Sequence, residues 1–189
     1  KNKNIILKEI ERIYNVNFID IYGPFKKYLN EIYAERKFDD LSTHKVKRLL
    51  QLLLPAESKY YIINKLFSKY VTKDEEAFAE NLYLNINQLK EIKKNSNEIG
   101  VHGVDHLRLD TLDYENQFFE IENSLNFFRY HKLLYDTWSF CYPHGNYNDT
   151  SIHILKKLNC LCGLTINLGT VDLNNIYELP RIDTKNFIF

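Results

Sequence analysis

From Glu98 onward, short β-prone runs alternate with amphipathic helical stretches, and this alternation limits the possible folds more than any other feature of the chain. Residues 99–101 lead into a helical pattern over 114–129. Trp138-Ser-Phe-Cys-Tyr142 leads into a second over 149–158, and a third apolar run covers 160–166. Strands separated by helices need crossover connections, so the order predicts βα units with parallel strands and helices packed over them. In sheets and barrels of this kind, ligands meet the loops at the carboxyl ends of the strands. His102 and the run Pro143-His144-Gly145 each follow a predicted strand directly.

The first half reads differently. Ile6, Ile10 and Ile13 recur at helical spacing over 5–14, Gly23-Pro24 punctuates the chain, and a second amphipathic stretch covers 25–33. Over 42–54, Ser42 or Thr43 is placed to cap a helix whose apolar face is Val46, Leu49, Leu50 and Leu53, and Pro55 stops it. Helices are also expected over 57–70, 75–82 and 86–94, with Thr72 or Asp74 and Asn85 as caps. A chain of 189 residues with 44% apolar content can bury one substantial core. The expectation is one domain over 1–189, with a mainly helical part (1–95) and βα units (96–189).

Charge narrows the partners. Lys plus Arg and Asp plus Glu balance at 25 each, which gives no electrostatic footprint for nucleic acid or an anionic membrane surface, so a neutral or small ligand fits better. No apolar run approaches the ~20 residues needed to span a bilayer. The opening Lys-Asn-Lys-Asn lacks the apolar core of a secretory signal. Cys141, Cys160 and Cys162 are odd in number and lack paired spacing, which reads as reduced thiols and favours a cytoplasmic setting. The sequence contains no Met, so a cut end is a natural reading of Lys1.

Three segments carry chemistry. In Glu98-Ile-Gly-Val-His102-Gly-Val-Asp-His106, two imidazoles lie on one short glycine-containing turn, where both can reach a single zinc-like ion. Taken alone, such a pair also reads as turn histidines bonded to backbone. A catalytic zinc normally takes three protein ligands, so a third ligand is required. Asp105 and Asp110 are placed to orient an imidazole as hydrogen-bond acceptors, and surface solvation explains them equally well. In Phe140-Cys-Tyr142-Pro143-His144-Gly145-Asn-Tyr-Asn, Tyr142-Pro143 stiffens the chain and Gly145 permits a tight turn. The result is a rigid rim with backbone N–H groups and aromatic faces, suited to a sugar. An ordinary βα connection capped by Asn148 or Asp149 is the plainer reading. In Leu179-Pro-Arg-Ile-Asp183, Arg181 either directs a fixed charge into the site or forms a surface ion pair. His44, His131 and His153 read as surface residues.

Together these segments resemble the polysaccharide deacetylase family, whose members share the NodB homology domain. Its His-x-x-x-His metal motif matches His102 and His106, followed by Leu107 and Leu109. Its substrate-groove motif, an aromatic strand ending in Pro-x-Gly, matches Ser139 to Gly145. The tail, Gly163-Leu-Thr and then Leu179-Pro-Arg-Ile-Asp-Thr, and the helical stretch 38–84 resemble members associated with surface-polysaccharide biosynthesis. The resemblance implies a partial, irregular (β/α) barrel with a largely helical N-terminal half. It also implies a divalent metal, usually zinc, held by Asp-His-His, and hydrolytic removal of N-acetyl groups from an amino sugar or polysaccharide. Metal ligands would be His102 and His106; substrate contacts would come from Tyr142, Pro143, His144 and Gly145, with Arg181 supporting the site.

The chain departs from the family at the catalytic carboxylates. Members carry a Thr-Phe-Asp-Asp-Gly motif on the first barrel strand. Here Phe38-Asp39-Asp40 imitates it, but Leu41 replaces the glycine, polar Glu-Arg-Lys precedes it, and Ser-Thr-His after it starts a helix. Asp39-Asp40 therefore reads as an exposed pair at a helix N-terminus. Cys141 stands where many members have Arg, and His144 where many have an aromatic residue. The late Leu-x-His motif has no counterpart. Two expectations follow: a C-terminal part of a deacetylase whose aspartates lie upstream, or an inactive carbohydrate-binding or scaffold relative.

Overall fold

A computed structural model describes residues 2–32, 39–182 and 184. The chain divides into two compact units, Lys1–Tyr83 and Leu84–Phe189. Among the described residues no helix is long and apolar enough to cross a membrane.

The first unit is helical: α1 (Asn2–Asn17), α2 (Ile19–Tyr22), α3 (Lys26–Asn30), α4 (Leu41–Arg48), α5 (Ala56–Tyr70) and α6 (Glu75–Leu82). The expected isoleucine stripe is its core face, since Ile10 and Ile13 are buried with Tyr14, Phe25, Leu49 and Ile62. The cap of α4 lies earlier than Ser42 or Thr43. Asp40 takes that role, its carboxylate accepting from the backbone N–H groups of both residues at 3.0 Å and from the Thr43 hydroxyl at 2.9 Å. A carboxylate is favoured there because it meets the unpaired amides and the positive end of the helix dipole. The segment also ends differently from a plain helix: Leu49–Leu53 forms a single π-helical turn before Leu54 becomes extended and Pro55 starts the next helix. His44 is not a fully exposed residue. It is half-buried, and its Nε2 is buried without a hydrogen-bond partner among the described residues.

The second unit contains α7 (Ile86–Lys94), α8 (Tyr114–Tyr130), strand β1 (Ser139–Cys141), α9 (Asp149–Lys157) and strand β2 (Cys162–Leu164). Helix α7, the last of the expected helical half, thus belongs to this unit. Asn85 and Asn148 both form capping boxes, with Gln88 and Ser151 respectively. Strands β1 and β2 pair in parallel, Phe140 opposite Gly163. Single parallel bridges flank them, Val101 to Phe140 and Leu164 to Leu179. The sheet is therefore a short parallel one, two strands widened by one bridge on each side, as the βα alternation requires. Its regular part is shorter than the predicted runs 138–142 and 160–166. Ile121, Leu125, Phe140, Ile154 and Leu155, all fully buried, form the core between sheet and helices. All three cysteines are free, and Cys160 is buried, which pushes its thiol up to about 12.

Candidate metal and sugar site

The site is built where the parallel rows end. Val101 donates to the Ser139 carbonyl and accepts from the Cys141 amide, both at 2.9 Å, so the next residue, His102, leaves the sheet beside the end of β1. Its Nδ1 lies 2.6 Å from the Cys141 carbonyl oxygen. A carbonyl only accepts, so Nδ1 carries the proton, and in the neutral ring Nε2 keeps its lone pair as a metal donor. Cys141, not Asp105 or Asp110, supplies the orienting acceptor.

The turn after His102 is held from beneath by a residue that the motif reading missed. Glu120, on α8 and only 2% exposed, accepts from the Val104 amide at 3.0 Å and from the Asp105 amide at 3.0 and 3.3 Å. Its carboxylate sits so close that a Cβ on Gly103 would lie 3.0 Å from Oε2, and Gly103 itself has φ +84°. The sequence did carry a signal for Glu120. Gln117, Glu120, Ile121, Ser124 and Leu125 share the buried face of α8, and polar residues on such a face need buried partners. Gln117 finds its own: it donates to the Leu112 carbonyl and accepts from Ser151 at 2.6 Å, at the foot of the second loop.

That second loop, Pro143–Gly145, is a one-turn 3-10 segment closed by the Gly145 amide on the Tyr142 carbonyl at 2.8 Å. Tyr142 is 1% exposed, stacks on Tyr147 at 4.4 Å and donates to the Tyr177 carbonyl. Burial pushes its hydroxyl far above the ordinary tyrosine range. Its face is therefore not open to a sugar, and buried Pro143 likewise supports the loop from below. The outward members are His144, which is exposed, and Gly145 in part. Asp110 ties the two loops together, accepting from Arg108 at 2.9 Å and from Asn146 at 3.3 Å.

Three exposed imidazoles meet above this base. The His106 ring touches His102 at 4.7 Å between centroids and His144 at 4.5 Å, both edge to face. His106 and His144 hold left-handed backbones, with φ of 55° and 57°, a conformation that costs a non-glycine residue ~1–2 kcal/mol. Burial, and then the neighbouring His102 and His144, lower the pKa of His106 below the ordinary histidine value. The rings form a row, not a closed cage. Among the described residues no three His, Cys, Asp or Glu side chains converge so as to hold an ion as they stand.

The remaining predicted residues fall as follows. Arg181 donates through Nε to the Thr165 carbonyl at 2.6 Å, and its Nη1 lies 3.9 Å from the Cys141 sulfur, so it braces the backbone beside the His102 partner. Asp183 and Phe38 lie outside the described residues. Asp40 is engaged as a helix cap and Asp39 pairs with Lys47 at 2.7 Å. Beyond the carboxyl ends of β1 and β2, Tyr147, Asn167, Asp172, Asn175, Glu178 and their neighbours line a cleft of about 270 Å³.

The described fold and loops can be compared with known proteins. No curated protein matches the chain. Among solved structures, the Streptococcus pyogenes deacetylase PplD, determined in complex with acetate, matches with a TM-score of 0.51 at 24% identity. The match covers 83% of this chain and 76% of that one, and at this identity it speaks for the fold: a mixed helical chain with a small parallel sheet, similar to a deacetylase. The model of the family described as polysaccharide deacetylase matches residues 29–162, a span that includes both histidine-bearing loops. With most of its length inside that match, and with the His102 and His106 turn set at the end of a parallel sheet, this chain belongs to the polysaccharide deacetylase family.

Proposed function

We propose that the chain is a metal-dependent hydrolase that removes N-acetyl groups from an amino sugar or polysaccharide. The observation that carries the reading is the His102 and His106 pair at the carboxyl end of the sheet, with the His102 tautomer fixed by the Cys141 carbonyl. Those two imidazoles would hold a divalent cation, zinc by ligand type. When bound, such a cation polarises a carbonyl oxygen and makes bound water acidic near neutral pH. The protein's own part is positional. Glu120 and Gly103 fix the histidine turn, Asp110 joins it to the Pro143–Gly145 loop, and Arg181 braces Thr165 beside Cys141. The cleft beside Tyr147 is lined by amides and carboxylates suited to sugar hydroxyls. The parallel rows and covering helices fit part of an irregular (β/α) barrel.

A second reading, an inactive carbohydrate-binding relative, is favoured by one specific observation: the Asp39 and Asp40 carboxylates are committed to Lys47 and to a helix cap. Isothermal titration with zinc separates the two. Tight binding lost in His102→Ala supports the enzyme; absence of binding in both proteins supports the sugar-binding relative, because two imidazoles alone fall short of a full ligand set.

A further inference from the structure

Lys65, Lys69 and Lys73 recur every four residues along α5 and just past its end, and no carboxylate of that helix relieves the first two. The positions three and four residues from Lys65 and Lys69 hold Tyr, Ile, Ser, Leu, Thr and Lys, and Glu57 is the only acidic residue of α5. Like charges at this spacing destabilise a helix. The chain as a whole balances 25 basic against 25 acidic side chains, so the cluster is a local feature. It lines a cavity of about 540 Å³ together with residues of α1, among them Arg12 and Glu9. Glu9 is the one carboxylate among the described residues of that lining, so four cations leave a surplus of three positive charges. We propose that this cavity binds a small molecule that carries a phosphate or diphosphate group.

The cations are arranged, not merely crowded. Glu9 is the covered member of the group: its side chain is 13% exposed, against 61% for Arg12 and 53% for Lys69. Its Oε1 accepts from Arg12 Nη2 and from Lys69 Nζ, both at 2.8 Å, and its Oε2 accepts from Arg12 Nε at 3.2 Å. One carboxylate thus clamps a guanidinium of α1 and an ammonium of α5 at the cavity wall, with N–H groups of both outside the clamp. A guanidinium has five such donors and an ammonium three, and the planar fork matches phosphate oxygens. Holding both side chains in place before binding lowers the ordering cost of a ligand. Lys65 is set at the rim, its Nζ 5.3 Å from the Tyr61 ring centroid, and Ser68 adds a hydroxyl to the lining. Buried Ile13 and exposed Val16 and Tyr61 supply apolar surface for the carbon part of a ligand. A phosphate monoester brings roughly −1.5 to −2 charges near neutral pH, which the surplus covers with room for a second phosphoryl group. The volume lies within the ~300–1,000 Å³ of small-molecule sites, so a compact ligand fits better than an extended anionic surface. A solvated lysine face needs neither the clamp nor the cavity.

The inference is independent of the metal reading, and its test needs no metal. Isothermal titration of the 189-residue chain at low salt uses three probes: inorganic pyrophosphate, uridine diphosphate and glucose 1-phosphate. The variants are Lys65→Ala, Lys73→Ala and, as a control, Lys90→Ala, with circular dichroism to verify folding. Lys65 and Lys73 take no part in the Glu9 clamp, so their removal leaves the tie between α1 and α5 in place. Lys90 lies in a different groove, with Lys93, Lys94 and Lys132. The expected result is saturable binding of at least one probe, weakened roughly 10-fold by Lys65→Ala and by Lys73→Ala, the loss of one charge-assisted contact, and unchanged in Lys90→Ala. The order of the three affinities then names the ligand: a free anion, a nucleotide or a sugar phosphate. Binding of none of the probes overturns the inference. So does binding that both cavity variants leave unchanged, or that Lys90→Ala weakens equally, since either result reduces the effect to general attraction. Adhesion to phosphatidylglycerol vesicles without probe binding assigns the lysines to a membrane surface and overturns it as well.

Discussion

Replacing Glu120 is the sharpest structural perturbation of the site, because this side chain touches the histidine turn without being a ligand. Two backbone N–H groups, of Val104 and Asp105, point at its Oε2 at 3.0 Å, and the Asp105 amide also reaches Oε1 at 3.3 Å. Glu120→Ala takes a buried acceptor from two part-buried donors, at up to ~1–3 kcal/mol each, so at most about 2–6 kcal/mol in all. Glu120→Gln can keep both 3.0 Å bonds through its carbonyl oxygen. It loses the charge and sets an NH2 against the Asp105 amide, which places its cost at about 1–2 kcal/mol. Trp138 is the only tryptophan and is buried in the second unit, so its fluorescence during urea unfolding reads the unit that carries the site. The order of stability should be wild type, Gln, then Ala. Zinc affinity should fall in the same order, since loss of a supporting contact typically costs 10–100-fold. An alanine variant within ~0.5 kcal/mol of wild type, the usual range for an inconsequential surface change, with unaltered zinc affinity, would refute the claim that Glu120 holds the turn.

Other perturbations follow from the same geometry. Gly103→Ala should destabilise the second unit by ~1–2 kcal/mol in the same fluorescence assay, because the new Cβ meets Glu120 Oε2 at 3.0 Å and the residue sits at φ +84°. In the metal-free protein, ring NMR should show His106 titrating below ~6.5, the ordinary imidazole value. Its neutral form is favoured on folding, so its contribution to stability is complete above that pH and is lost as pH falls toward the lowered folded value. Titration at or above the ordinary value would contradict the burial and charge arrangement. Asp40→Ala removes the cap of α4 and should cost ~1 kcal/mol in thermal melts, whereas Asp40→Asn, which still caps, should cost less.

The parallel sheet was legible because helix and strand periods alternate after Glu98, and the helical first half because Ile6, Ile10 and Ile13, and then Val46, Leu49, Leu50 and Leu53, recur at helical spacing; Ile10, Ile13 and Leu49 are buried in its core. The cap of α4 was misplaced because Asp40, Ser42 and Thr43 are all good capping residues, and spacing does not choose among them. His102 and His106 were visible as a local pair. Their partners were not, since Cys141, Glu120 and His144 lie 14–42 residues away in sequence, and such contacts are set by the crossover topology. Tyr142 has the residue type expected of a sugar platform, but its ring is taken by Tyr147 and the core. Exposure, not residue type, decides that role, and exposure depends on the whole packed unit.

The most direct test of the account is acetate release. The zinc-loaded protein is incubated with N-acetylated amino-sugar oligomers, and acetate is quantified alongside the free amine. The account predicts equal amounts of both products, abolished by chelation and by His102→Ala. Zinc binding that depends on His102, with no acetate from any amino sugar tested, would contradict the enzyme and leave a sugar-binding relative.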